Sequence, residues 1–501
     1  MAHANTSFAL SDAEFERVKH IIDIRDLEDF KLSECSIYKV PCNLRKVNEE
    51  AYTPQLISIG PIHLGKEELK PMQEHKKRYF HFFWERVSNE LAMMYPMDKY
   101  KDYLKTQEQE IKQCYAQKFP KISDEKFLDM MLLDAVFIME LFLRHSSWKS
   151  DTIKPGHDNV ERKSSRFNHS GDYILSQSWL SKDIARDLIL IENQIPIFVL
   201  KELYDTVVSD VAIKKEHPCF VDLALQYFAL YDTQRSSSGS DETKLVLEKN
   251  LSKKHFFSGS IFGFKKPLNK SMTKDRCKNP EHFTDLIRYF CLPANMRNSG
   301  RPDNVLRTAT KLQESGVSFE KDKKRRLLEI SFDKKPFLSS FLCLGCLQHL
   351  NHFKARFVIP QLEVGQTTEC VVRNLIAFEQ CHYPEQPYIC NYVSLIDSLI
   401  HTQVDVELLV EKEVIVHELG SDEEVATLVN GLCKHVVTNS TCYYETINEL
   451  NKHYQNVWNR TMAALWLVYF RDTWRASSTV VGIAVLIFAV FNFLRVVRYL
   501  F

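Results

Sequence analysis

From Ala476 to Leu494 the chain reads ASSTVVGIAVLIFAVFNFL, 19 residues without a charge. As a helix rising about 1.5 Å per residue, this stretch reaches roughly 30 Å, the thickness of a bilayer's hydrocarbon core. Arg475 stands at one end and Arg495 and Arg498 at the other. Trp474 and Tyr499 are placed for the two interfaces, where amphipathic rings settle, and Asn492 lies near enough to an end to reach the headgroups. A buried core helix is the other reading, but such helices seldom run this far uncharged. The sequence therefore predicts a single transmembrane helix over Ala476–Leu494 and a short tail over 495–501. The N-terminal MAHANTSF has no basic start followed by an apolar core and is not arginine-rich, so neither a signal peptide nor a transit peptide is expected. A span made late, without a signal, leaves the bulk of the chain in the cytosol, at the plasma membrane or an endomembrane. Arginine counts on the two sides of the span differ too little to decide orientation.

The rest of the 501 residues must fold in water. Hydrophobic residues at 45% and charged residues at 26% suit a packed domain. Lys plus Arg and Asp plus Glu number 65 each, so the surplus of positive charge that nucleic-acid binding needs is missing. The 13 cysteines are scattered without paired spacing, which suits reduced, buried thiols. Six sequons, at Asn5, Asn168, Asn250, Asn269, Asn439 and Asn459, acquire meaning only in a secretory lumen.

Apolar periodicity predicts a mainly α chain, α+β with a small sheet. Residues 1–34 form a helical extension opening with a capping box at Ser11 and Glu14. Residues 35–470 form the main domain. Its first part, 35–66, is loop-rich, broken by Pro41, Pro54, Pro61, Gly60 and Gly65. Helices are expected from Glu67 to Tyr95, with Met72, Tyr79, Phe83 and Val87 as the apolar edge, and from Lys99 to Phe119. A third, from Ser123 to Arg144, is apolar nearly all round and therefore central. Another spans about Ile184 to Tyr204, kinked or divided by Pro196. Polar surface loops are expected near 146–178 and 232–282. Alternating runs at Val317–Phe319, Leu327–Phe332 and Arg356–Leu362 suggest a hairpin or three strands. Helices resume at Cys370–Phe378 and Tyr392–His401. A capping box at Ser421 and Glu424 opens one through Leu432, and a last helix covers about Thr441 to Phe470.

Six strings occur in order along the chain. They are YKVPCNLRKVNEEAYTPQLISIGPIHLG (38–65), MLLDAVFIMELF (131–142), DLILIENQIPIFVL (187–200), KLQESGVSFE (311–320), RNLIAFEQ (373–380) and LGSDEEVATLVNGLCK (419–434). Together they closely resemble the plant domain-of-unknown-function 247 family, also called UPF0481. The resemblance implies a mainly helical protein ending in one membrane-spanning helix, with no established enzyme activity. Some grass members are implicated in pollen-side self-incompatibility, which points to recognition rather than catalysis. One departure is the apolar, cysteine-rich KKPFLSSFLCLGCLQHLNHFK (334–354), where family members pass quickly from one strand to the next. We read it as an atypical insertion, part of it retained intron sequence.

Candidate chemistry is sparse. Asp134 and Glu140, with Glu192 and Asn193, stand in strongly apolar runs. Buried carboxylates are costly unless paired, and a pair could act as acid and base. The competing reading has them bond loop backbone or meet Arg144, Arg186 or Arg373 and fix helix packing. Cys343, Cys346, His349 and His352 are zinc-ligand types, but steps of three walk around a helix and the longer arm between pairs is missing. His63 in GPIHLG has no nucleophile motif beside it. Lys265-Lys266 and Lys323-Lys324-Arg325-Arg326 read as solvated charge. No phosphate-cradling, hydrolase or zinc-protease motif is found, so no cofactor, metal, nucleic acid or small-molecule ligand is expected. The sequence points to a membrane-tethered interaction protein with an unnamed protein partner. The alternative is a membrane-bound enzyme using the buried carboxylates.

Overall fold

In the computed structural model the helices of the first half pack around one 29-residue helix, Asp124–Thr152. The structure describes residues 35–90, 96–152, 172–207, 219–229, 280–293, 296, 300–302, 305–322, 325–334, 355–469 and 473–500. The predicted extension 1–34, the bulk of the insertion 334–354, Lys265-Lys266 and Lys323-Lys324 lie outside these residues.

The regular elements of the first half, among the described residues, are helices. Its elements are α1 (Lys70–Glu90), α2 (Pro96–Thr106), α3 (Glu108–Gln113), α4 (Asp124–Thr152), α5 (Ser178–Asp187), α6 (Ile197–Val207), α7 (Phe220–Ala229) and α8 (Phe283–Cys291). Asp124 and Glu125 occupy the first turn of α4, where negative charge favours the helix dipole. Ala135, Val136, Phe137, Ile138, Met139 and Leu141 are all buried, so α4 meets protein on every side, touching α1, α2, α6 and α7. Phe142 stacks on Tyr227 at 4.4 Å between ring centres and lies 5.6 Å from Phe283.

The second half adds α9 (Ala309–Glu314), β1 (Val317–Asp322), β2 (Ser331–Asp333), β3 (Ala355–Pro360), β4 (Leu362–Val364), α10 (Thr368–His382), α11 (Tyr388–Leu399), α12 (Gln403–Glu411), β5 (Ile415–His417), α13 (Asp422–Leu432), α14 (Tyr444–Gln455), α15 (Val457–Tyr469) and α16 (Thr473–Leu500). Two further helices are four-residue turns, Cys42–Arg45 and Tyr173–Ser176. The sheet has the order β1-β3-β2, with β1 parallel and β2 antiparallel to β3. It is thus the three-stranded form rather than a lone hairpin. A second pair, β4 and β5, runs parallel. One hydrophobic core joins the halves, from Ile37 through α4 to Leu450.

Several expected boundaries move. The helix expected over Ile184–Tyr204 is divided, as Pro196 led one to expect, into α5 and α6, and the break is wide, with residues 188–196 outside both. Pro196 directly precedes α6, where its missing N–H costs nothing. The helix expected over Lys99–Phe119 starts at Pro96 and breaks at Gln107, and 114–119 leave the helix. The helix expected over Thr441–Phe470 breaks at Asn456, whose side-chain oxygen accepts the Trp458 N–H at 2.9 Å and so caps α15. The loop expected at 146–178 is shorter, because α4 runs to Thr152, and Asp172 and Ile174 are buried. The loop expected at 232–282 likewise ends inside the core, where His282 is fully buried at the start of α8.

The helix α16 differs from the others. The stretch Ser477–Arg498 is long and apolar enough to cross a membrane, and none of it is buried. Helices α1 to α14 each bury at least one side chain, whereas α15 buries none among its described side chains.

Candidate functional site

Pro41, Pro54 and Pro61 keep residues 36–60 out of regular structure except for the turns Cys42–Arg45 and Glu50–Tyr52. Backbone groups taken into the core without helix or sheet must find other partners. Here they find buried side chains. Asp187 accepts the N–H groups of Gln55, Leu56 and Ile57, at 3.0, 2.7 and 3.0 Å to Oδ2. Asn193 accepts the Ile59 N–H at 2.7 Å and donates to the carbonyls of Ile57 and Asp187 at 2.9 Å each. Asp134 accepts the Gly60 N–H at 2.7 Å, and the Lys76 ammonium bonds both Asp134 and the Ser58 carbonyl. Glu192 accepts the Val40 N–H at 2.7 Å. Asn374 donates to the Ala51 carbonyl at 2.7 Å, and His282 Nε2 donates to the Ser36 carbonyl at 2.9 Å.

Gly60 fits this geometry for a steric reason. Its φ is +72°, and a Cβ there would lie 2.4 Å from the Gln194 carbonyl oxygen.

The turn between α5 and α6 is held the same way. Gln194 donates to the carbonyls of Leu188 and Leu190 at 2.6 and 2.8 Å and accepts the Phe283 N–H at 2.9 Å. Asn374 accepts the Ile191 N–H at 3.0 Å, and Thr284 donates to the Ile189 carbonyl at 2.9 Å. Two irregular segments therefore meet in the core, with buried side chains completing their hydrogen bonds.

Of the four polar candidates, Asp134 and Asn193 hold adjacent residues of the 36–60 segment. Glu192 holds the same segment near its start. Glu140 belongs to a different network with Arg86 and with Arg144, whose Nε is 2.7 Å away, and Arg144 continues to Asp172 at 2.9 Å. Asp172 in turn accepts from the Tyr79 hydroxyl at 2.9 Å. The three carboxylates share no partner. Of the partners expected from the sequence, Arg144 does meet Glu140, but Arg186 pairs with Asp187 and Arg373 with Glu369. Lys76, Asp187, Gln194 and Asn374 escaped sequence reasoning. Lys76 had left a signal, because it falls between Met72 and Tyr79 on the apolar edge of α1, and it is buried there.

Electrostatics follow from these contacts. Burial pushes the Asp134 carboxyl up, against the pull of Lys76 and the Gly60 N–H. Burial pushes Asp187 up in the same way, opposed by Arg186 and three backbone donors. Burial also acts on Glu192, but His63, Arg45 and the Val40 N–H outweigh it and hold this carboxyl below its ordinary value. Burial drives His282 down to about 3. The imidazole is then neutral, with the proton on Nε2 toward Ser36 and Nδ1 free to accept the Asp285 N–H at 3.3 Å.

His63 Nε2 lies 3.3 Å from Glu192, whose other oxygen meets Arg45. This contact orients a buried carboxylate toward backbone and cations. A depressed folded pKa contributes stability above the ordinary 4.5 that is lost as pH falls through the lowered value. Glu192→Gln is therefore expected to lower stability by about 1–3 kcal/mol at neutral pH. The gap from wild type should close in acid. Chemical denaturation at a series of pH values measures it, and a gap that widens in acid would contradict this assignment.

Among the described residues no three His, Cys, Asp or Glu side chains are grouped to hold a metal ion. Cys343, Cys346, His349 and His352 lie outside those residues.

Comparison with known proteins gives one family. The model for DUF247, plant protein of unknown function, matches residues 37–488. The UPF0481 protein At3g47200 of Arabidopsis thaliana is 25% identical over 90% of this chain and 84% of its own length. The putative UPF0481 protein At3g02645 of the same plant is 24% identical over 94% of this chain and 93% of its own. No solved structure matches.

Proposed function

The chain belongs to the DUF247 family of plant proteins of unknown function, and from that premise we propose that it is a membrane-tethered, non-enzymatic interaction protein whose helical domain lies in the cytosol. The observation that carries the tether is α16. Ile483, Leu486, Phe488, Phe491 and Leu494 are all exposed along it. An apolar surface of that length is unfavourable in water and matches the hydrocarbon thickness of a bilayer. The buried polar groups support an interaction role. Asp134, Glu140 and Glu192 are engaged by separate cations and backbone amides, which stabilise the fold and do not pair these carboxylates with one another. With a net charge of zero, the partner is a protein rather than a nucleic acid.

Alkaline carbonate extraction of membranes from cells making the full chain tests the tether. The intact protein is expected in the pellet, and a chain ending before Thr473 in the supernatant. Release of the intact protein would overturn the reading. The same material reports the side of the membrane. Asn439 is exposed and begins an Asn-Ser-Thr sequon, so it should carry no glycan if the domain is cytosolic. Asn459 is a poor reporter, because its amide is held by His453. A glycan on Asn439 would reverse the orientation and leave the tether in place.

A further inference from the structure

We propose that α15 is an interfacial helix, lying along the membrane surface with one face in the boundary between headgroups and acyl chains. The inference rests on the tether proposed above and adds a second contact with the same lipid. The large apolar side chains exposed on α15 are Val457, Trp458, Met462, Leu465, Val468 and Tyr469, with the smaller Thr461 exposed among them. At 100° per residue these six fall within an arc of about 140°. The opposite side faces protein. Ala463 lies against Gly316, close enough that a Cβ built on that glycine would come within 3.3 Å, and Asn459 donates to the His453 carbonyl at 3.1 Å. One face of the helix is thus fixed to the domain and the other presents a stripe that no described residue covers.

The junction with α16 says what covers it. The Thr479 hydroxyl donates to the Tyr469 carbonyl at 3.1 Å. Thr479 lies two residues inside the stretch Ser477–Arg498. The last turn of α15 therefore sits level with the start of the span, at the depth where a bilayer places its headgroups. Trp458 and Tyr469 are the residue types that settle at this depth, each with an apolar body and a polar tip. A helix with an apolar stripe at that level buries it in lipid. The domain is then held to the surface by two contacts, the span and α15, rather than by the span alone.

Lipid photocrosslinking of the full chain in phosphatidylcholine vesicles tests the arrangement. A diazirine side chain is introduced singly at Met462, Leu465, Leu486 in the span, and exposed Trp179 of α5, and lipid adducts are counted after irradiation. These four sites are on the surface, so folding is unaffected. Adducts at Met462 and Leu465 similar to those at Leu486, and several-fold above Trp179, are expected. Adducts at Leu486 with background at Met462 and Leu465 would overturn the interfacial helix while leaving the tether standing. Background at Leu486 would overturn the tether and with it this inference. Adducts from Met462 and Leu465 to a second copy of the chain would overturn the lipid assignment alone.

Discussion

Asp187→Ala is expected to cost the domain about 3–5 kcal/mol, because it removes one acceptor from three consecutive N–H groups and leaves Arg186 without its carboxylate. Asp187 has no solvent exposure, so water does not take over the role. Against a total stability of about 5–15 kcal/mol, such a loss brings many domains close to unfolding at working temperature. Thermal unfolding followed by far-ultraviolet circular dichroism measures it. Asp187→Asn keeps the shape and one acceptor oxygen and should cost clearly less. If Asp187→Ala unfolds within error of wild type, the segment 55–57 does not depend on this side chain.

Lys76→Met is the second large effect. It leaves the buried Asp134 carboxyl without its counter-charge and the Ser58 carbonyl without its donor, a loss of about 3–5 kcal/mol. The double change Lys76→Met with Asp134→Leu should cost less than the two single changes added, since it removes both charges together. The pH dependence has a definite sign. Burial already raises the Asp134 carboxyl, and removing Lys76 raises it further. A folded pKa above the unfolded one contributes stability below the ordinary 3.8 that is lost as pH rises through the folded value. The penalty of Lys76→Met should therefore shrink as pH falls toward 3.8. A penalty independent of pH, or a double change that costs the full sum, would show that the pair is not coupled.

These effects come from the part of the fold that the sequence hid best. Periodicity found α4, α10, α11 and α13, because each repeats apolar residues at helical spacing and owes its helix to local bonds. Ser421 caps α13 as expected, accepting the Glu424 N–H at 3.2 Å. The Glu424 carboxylate, however, turns to the Gly420 N–H rather than back to Ser421. Residues 188–196 were read as part of one helix, kinked or divided by Pro196, because apolar residues flank Glu192, Asn193 and Gln194 on both sides. The turns there are held by Gln194 from within and by Asn374 and Thr284, which lie far away in sequence and in no local pattern.

The candidate site was half legible for the same reason. A carboxylate or amide inside an apolar run stands out, so Asp134, Glu140, Glu192 and Asn193 could be found. Apart from Arg144, four residues from Glu140, their partners could not, because Gly60 is 74 residues from Asp134 and Val40 is 152 from Glu192. Partner choice depends on the packing of whole helices. Lys76 and Arg144 were the partners with a local clue.

The hydrogen bonds of the 36–60 segment also set an order of assembly. The ribosome makes this segment early, but its acceptors and donors at Asp187, Glu192, His282 and Asn374 follow much later. Contacts of such sequence separation form slowly, since a long loop must close before they contribute. The segment must therefore wait, apolar and with its amides unpaired, until at least Asn374 has left the exit tunnel. A nascent chain in that condition is prone to aggregation and depends on chaperone shelter during synthesis.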